Sequence, residues 1–338
     1  MEARWSPTDA VLAYYLSRSS VNDSLKAHYQ RVRVAQKLVA TIDSAFFRLL
    51  GLQLCFGKAE RLVSIRCGVE RKTKKALDRH LTDIKEYNRV KREAIRAQRL
   101  RDSINAEIEK QRNVLASAMG LSPDYCIDGG FHVCGQLVLP CFKTAVCQME
   151  MQAMQNRPEA FEAGLNHLNS MNDVRRTIVK HFPKVTGFWR ATRDNDKFLY
   201  NKEWKEAGVF VYFDLLDWLS NLSESKATRF NSGKTQREMA AVALAIASQV
   251  RVAAVDYFSS LNEARSAQAM EKSSGDVLRI YKERADRDDL EKLALEEAQA
   301  DGLQDRIERI RAVAESNAAL AELQGAMGTN YNEPTPCD

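Results

Sequence analysis

Reactive side chains are plentiful in this 338-residue chain, but their spacing does not suit catalysis or metal binding. The seven cysteines are Cys55, Cys67, Cys126, Cys134, Cys141, Cys147 and Cys337, and the central four follow a C-x7-C-x6-C-x5-C pattern. Structural zinc sites use paired C-x2-C knuckles. The spacing therefore predicts no metal, and the four read as small buried apolar residues, with a disulfide open to them in an oxidising compartment. His28, His80, His132, His167 and His181 are scattered without ligand spacing, and no phosphate loop, nucleophile elbow or H-E-x-x-H motif occurs. These observations predict no enzyme activity, no cofactor and no metal.

Charge is concentrated in a few stretches. "IYKERADRDDLEKL" places Tyr281, Arg284, Asp286, Arg287, Asp288 and Asp289 side by side, and "KKALDRHL" repeats the pair Asp78-Arg79. Such clusters read first as solvated turns. The net charge of +5 is small, but residues 61–112 hold 16 Lys/Arg against 8 Asp/Glu, whereas 283–309 hold 5 against 10. The basic stretch admits one reading of its own, a cytoplasmic coiled-coil scaffold that grips nucleic acid through phosphate contacts.

Helices must position these clusters. The seven prolines, at 7, 123, 140, 158, 183, 334 and 336, leave residues 8–122 and 184–333 free of the strongest helix breaker. In the first span Leu38, Ile42, Ala45, Leu49, Leu52, Phe56, Ala59 and Val63 step by four and three, as a coiled-coil seam does. Val242, Ile246, Val250, Ala253, Tyr257, Leu261 and Ala264 do nearly the same in the second, and Leu303, Ile307, Ile310, Ala314 and Asn317 continue the habit. A single helix of that length would leave its seam without a partner. Each span is expected to fold back once, with tips near 68–80 and 275–289, where Gly68 and Gly275 occur. Arms of about 50 to 60 residues would reach about 75 to 90 Å.

The spans also resemble each other. At an offset of 208 the chain matches itself at 20 of 116 positions, including Asp78-Arg79 on Asp286-Arg287 and "LASAMG" on "LQGAMG". The expected fold is mainly α: two long antiparallel helical hairpins from an internal repeat, residues 1–122 and 214–330, with a tail at 331–338. Between them lie a connector with an added helix (123–182) and a β-hairpin (183–213). In the connector "VCGQLVLPCF" offers a short strand, and the helix is expected to start around Arg157-Pro158-Glu159 and stop before Pro183.

In the hairpin Val185, Gly187, Trp189 and Ala191 alternate with Lys184, Thr186, Phe188 and Arg190; "TRDNDKFLYNKEW" reads as a polar loop and "GVFVYF" as the second strand. Strands of about 9 to 11 residues can cross a bilayer within a barrel. Trp189, Trp204, Phe210 and Tyr212, with Phe198, Tyr200, Phe213 and Trp218, would then form an interfacial belt. A soluble hairpin packing its aromatics on helices fits the periodicity equally. No run of 18 apolar residues occurs and the N-terminus carries no leader, which taken alone predicts no transmembrane helix and a cytoplasmic chain.

The order hairpin, connector, helix, strand, strand, hairpin resembles the TolC-like outer-membrane efflux proteins. "MQNRPEAFEAGLNHLNSMNDVRRTIVKHFPKVTGFW" is similar to that family's Asn-Arg-Pro-Glu helix and the strand after it, "LASAMGLSPD" to the close of its first hairpin, and "WSPTDAVLAYY" to the strand-to-helix transition that opens it. The likeness runs from about Trp5 to Gly328. It implies a homotrimer in outer-membrane lipid whose strands share a β-barrel and whose hairpins form a periplasmic α-barrel, a passive duct serving an inner-membrane pump and a periplasmic adaptor, with no nucleic acid. It also implies that Asp78, Arg79, Tyr281, Arg284, Asp286, Arg287, Asp288 and Asp289 close the periplasmic end, where acidic rings select cations; a tip contact with the adaptor is a further reading. Unlike charges on the returning arms would specify neighbours in the ring. The repeat further predicts a strand pair before Trp5, so this chain is expected to be N-terminally incomplete and to give two strands per copy.

Overall fold

The computed structural model describes residues 2–121, 132–194, 198, 200–201, 203–212, 215–284 and 289–330. Its elements run β1 (Glu2–Trp5), α1 (Pro7–Asp78), α2 (Ile84–Ala118), α3 (Val146–Asn156), α4 (Pro158–Lys180), β2 (Lys184–Arg193), β3 (Glu203–Tyr212), α5 (Leu215–Arg284) and α6 (Asp289–Met327).

Sequence explains where the helices start. Pro7 opens α1, and the Ser6 hydroxyl accepts from the Asp9 N–H at 3.4 Å, an N-cap that also places an acid in the positive first turn. Pro158 opens α4 in the same way, with Glu159 behind it. Helix α1 ends where His80 turns left-handed (φ 58°) and the Leu81 N–H donates to the Ala76 carbonyl at 2.8 Å. A side chain in that conformation costs about 1 to 2 kcal/mol where glycine would cost little. The turn therefore occupies residues 79–83, beginning at the end of the expected 68–80 window and running past it. Gly68 lies within α1 and Gly275 within α5, because an isolated helical glycine costs only about 1 kcal/mol relative to alanine and need not break the helix. The turn between α5 and α6 falls largely outside the described residues.

The chain divides into two compact units. One takes the chain up to Val34 together with Arg157–Ile246, and the other takes Ala35–Asn156 and Ala247 onward.

The first unit contains a three-stranded antiparallel sheet in the order β1-β2-β3. β1 pairs with β2 from Glu2↔Arg190 to Trp5↔Gly187, and β2 with β3 from Lys184↔Tyr212 to Arg193↔Glu203. Among the described residues there are thus three strands where two were expected. β3 also starts earlier than "GVFVYF": Glu203, read as loop, and Lys205 and Glu206, left unassigned, complete the ladder opposite Arg193, Ala191 and Arg190. Polar side chains join α4 to the start of α1. Asn22 donates to Asn169 at 2.8 Å, Lys26 to Asn166 at 2.8 Å, and Asn169 to Asp23 at 2.9 Å.

The second unit holds the main apolar core, in which Leu49, Leu52, Cys55 and Leu62 of α1, Ile104, Ile108 and Leu115 of α2, and Ile307 and Ile310 of α6 pack together. α1 and α6 meet at small residues. A Cβ built on Gly51 would lie 2.4 Å from the Ala314 Cβ, and one on Gly325 would lie 2.6 Å from the Ala40 Cβ. Tyr87 lies within 3.5 Å of Glu70 on α1, while Arg306 and Arg309 of α6 pair with Glu271 of α5, as antiparallel hairpins require.

The connector corrects two expectations. Residues 132–145 form no strand; their backbone groups turn to helix side chains instead. The Val133 N–H donates to Gln53 Oε1 (3.2 Å), the Phe142 N–H to the buried Tyr257 hydroxyl (3.1 Å), and the Val138 carbonyl accepts from Asn317 (2.9 Å). Cys134, Cys141 and Cys147 are exposed rather than buried; Cys126 and Cys337 lie outside the described residues. Among the described residues only Cys55 is a core thiol, and burial pushes its pKa up to about 11.

Beside the expectation that no helix crosses a membrane stands a weak signal of length and composition. α1 and α5 each hold an 18-residue window long and apolar enough by composition, 39% buried in α1 and 17% in α5. A helix packed in a protein core passes the same test, so the two windows identify no membrane span.

Candidate membrane-facing sheet and charged hairpin tip

Side chains alternate across a strand, and the β2–β3 ladder runs unbroken over ten pairs, so its register assigns each residue to a face. One face carries Ala3 and Trp5 of β1, Val185, Gly187, Trp189 and Ala191 of β2, and Ala207, Val209 and Val211 of β3. It is apolar until the loop end, where Lys205, Arg193 and Glu203 take over. Val209 and Val211 are each 68% exposed and Trp5 is 67% exposed, so within this unit the apolar face is not a core.

The other face is mixed. Glu2, Arg190 and Glu206 stand in one row across the three strands, followed by Arg4, Phe188 and Gly208 in the next. Phe188 stacks on Phe210 with ring centroids 4.7 Å apart. Gly208 makes room for this stack, since a Cβ there would come within 2.5 Å of the Phe188 ring. At the helix end Lys184 pairs with Asp9 at 3.0 Å.

The register divides the four aromatics expected in a membrane belt. Trp189 lies on the apolar face with Trp5, whereas Trp204, Phe210 and Tyr212 lie on the charged face. Trp204 donates its indole N–H to Glu206 at 3.0 Å. Phe198 and Tyr200, between the strands, are fully exposed. Trp5 and the Glu2–Arg190–Glu206 row were missed by sequence reading, although the signal existed: Glu2, Ala3, Arg4 and Trp5 alternate polar and apolar as a strand would.

At the tip of the first hairpin, Asp78 ends α1 and Arg79 follows in the turn, both exposed. Tyr281 and Arg284 occupy the last turn of α5, and Asp289 opens α6. Asp286, Arg287 and Asp288 lie outside the described residues.

Charge on the returning arms is matched within the chain. Arg66, its side chain 8% exposed, pairs with Asp301 at 2.5 Å; Lys72 pairs with Glu296, Arg89 with Glu297 at 2.9 Å, and Arg311 with Glu107 at 3.1 Å. Hydrogen bonding to Glu315 raises the Arg48 pKa further above its ordinary value, with Glu322 beside it. The acidic surplus of α6 thus neutralises part of the basic stretch. Among the described residues, no three His, Cys, Asp or Glu side chains gather into a group that could hold a metal ion.

No protein-family model matches this chain, and no curated protein does. Solved structures do. The Campylobacter jejuni CmeC outer membrane channel superimposes with a TM-score of 0.77 over 99% of this chain and 71% of its own, at 11% identity. The outer membrane protein VceC of Vibrio cholerae gives 0.73 over 97% and 78%, at 12% identity. The open state of the Neisseria gonorrhoeae MtrE outer membrane channel gives 0.70 over 94% and 72%, at 14% identity. Identities this low speak to architecture, and on that evidence the chain has the fold of the TolC-type outer-membrane channels.

Proposed function

We propose that this chain is a subunit of an outer-membrane duct, a passive conduit for export that works with an inner-membrane pump and a periplasmic adaptor. The carrying observation is the sheet: one apolar face, one charged face, and edge strands β1 and β3 that each pair on one side only among the described residues. An open sheet with an uncovered apolar face is not stable in water. Copies of the same chain would close the edges into a barrel, lipid outside and water inside. Ten residues at about 3.3 Å each give strands of about 33 Å, and a tilt of about 40° brings their height to about 25 Å, the span of such a barrel. Exposed apolar residues on α5, among them Leu244, Val252 and Val255, favour a helical ring in which neighbouring copies cover them. Three copies fit the reading best, with Asp78, Arg79, Tyr281, Arg284 and Asp286–Asp289 lining the periplasmic end and Trp189 holding the bilayer interface.

The test is extraction and reconstitution of the full chain. The protein should leave membranes only with detergent, sediment as a trimer and give discrete conductance steps in planar bilayers. A soluble monomer without channel activity would refute the reading.

A further inference from the structure

Resting on the duct reading, we infer that Glu2, Arg4, Arg190 and Glu206 form a charge-balanced belt on the inner face of the barrel, and that Arg190 sets its ion preference.

The row is built from all three strands. Arg190 lies 3.2 Å from Glu2 and 3.9 Å from Glu206, while Arg4 Nε donates to Glu2 at 2.5 Å. Two cations and two anions leave no net charge. As a stabilising device the row would be weak, because Arg190, Glu2 and Glu206 keep 42%, 32% and 46% of their side chains exposed, and water-exposed ion pairs contribute little. What such a row does supply is a fixed pattern of charge facing the space enclosed by the sheet. The opposite face carries no charge until the Lys205 and Arg193–Glu203 end. The four charges therefore stand on the side from which lipid is excluded, and removing one exposes its partners to permeating ions. With Arg190 gone, each copy contributes one uncompensated carboxylate; with Glu206 gone, one uncompensated guanidinium.

Reversal potentials of the reconstituted full chain under a potassium chloride gradient decide the matter. Arg190→Gln should raise the K⁺-over-Cl⁻ permeability ratio about threefold at low salt, where the screening length of about 30 Å lets the belt act across the lumen. The gain should fade near 1 M salt, where screening shortens to about 3 Å. Glu206→Gln should shift the ratio the other way, and Arg190→Lys should restore the parent value. If Arg190→Gln fails to insert, Glu206→Gln carries the same test with the opposite sign. Unchanged ratios at low salt with normal conductance would overturn the belt while leaving the duct intact. A parent protein that gives no conductance would overturn the duct reading itself, and the belt with it.

Discussion

Helix α1 is held differently along its length. Up to Val34 its partner is α4: Asn22, Asp23, Lys26 and Arg33 reach Asn169, Asn166 and Glu162, and one apolar contact stands among these polar ones, Tyr29 stacked on Phe161 with ring centroids 4.9 Å apart. Beyond Ala35 its partner is α6, where Gly51 meets Ala314 and Ala40 meets Gly325 closely enough to leave no room for a methyl group. Eleven residues separate the two contacts on each helix, about three turns, so both fall on one stripe. Small residues let helices approach and maximise dispersion contact, whereas long polar side chains hold helices at a distance and can exchange with water. The close small-residue stripe is thus found on the α6 side, with ion pairs such as Arg66–Asp301 flanking it, while the α4 side relies on longer polar side chains around one aromatic stack.

The largest expected effect comes from filling the small-residue stripe. Gly51→Ala gains about 1 kcal/mol of helix propensity, but its methyl would stand 2.4 Å from the Ala314 Cβ, and overpacking costs typically 1 to 3 kcal/mol or more. A net loss of about 2 kcal/mol is expected in thermal or denaturant melts followed by circular dichroism. Gly68→Ala, on the same helix with nothing within 4 Å, should instead gain up to about 1 kcal/mol. Equal effects at the two sites would dissolve the distinction between the packed stripe and the rest of α1.

A smaller contrast lies at the ends of the repeats. Gly120 and Gly328 share a left-handed backbone (φ 72° and 70°), and the following N–H groups of Leu121 and Thr329 donate to Ala116 and Gln324 at 2.9 and 3.0 Å. Gly120 is open around its Cα. At Gly328 a Cβ would lie 3.1 Å from the Asn156 carbonyl, and Gln36 donates to the carbonyls of both residues. Gly120→Ala should cost about 1 kcal/mol from backbone strain alone, and Gly328→Ala about 2 kcal/mol, because it adds a steric contact.

Sequence legibility follows the same physics. The repeat at an offset of 208 was visible because a closing glycine and its hydrogen bonds are local, so "LASAMG" and "LQGAMG" announce the same ending. The seams were visible because apolar spacing is local too: Leu49, Leu52, Ile246, Val250, Ile307 and Ile310 are all buried. Which helix faces which was not visible. Gly51 reads as an indifferent helical glycine until Ala314 arrives from more than 260 positions away. The sheet divides along the same line. Alternation from Val185 to Ala191 foretold two faces, but assigning Trp204, Phe210 and Tyr212 to the charged one needed the pairing of β2 with β3. Within the connector the helix from Pro158 was legible, but residues 132–145 were not, since their cysteines and apolar residues mimic a strand while their hydrogen bonds go to Gln53, Asn317 and Tyr257 on distant helices.

The smallest effect tests the polar stretch of α1. Glu162 of α4 is buried; its Oε2 lies 3.4 Å from Arg33, and its Oε1 has no hydrogen-bond partner. Burial raises its carboxyl above the usual range, with Glu159 adding to the rise and Arg33 and Lys26 opposing it. A raised folded-state value means that the folded protein holds the proton more readily than the unfolded chain. The resulting stability is fully present below the ordinary carboxylate range and is lost as pH rises through the raised value. At neutral pH the ionised Glu162 is then a burden that packing elsewhere offsets. Glu162→Gln, uncharged at every pH, should melt slightly above the parent at pH 7 and level with it near pH 4, a shift smaller than at either glycine. If the variant instead melts lower at pH 7, the Arg33 pair outweighs desolvation, and this part of α1 is fastened by charge rather than merely tolerating it.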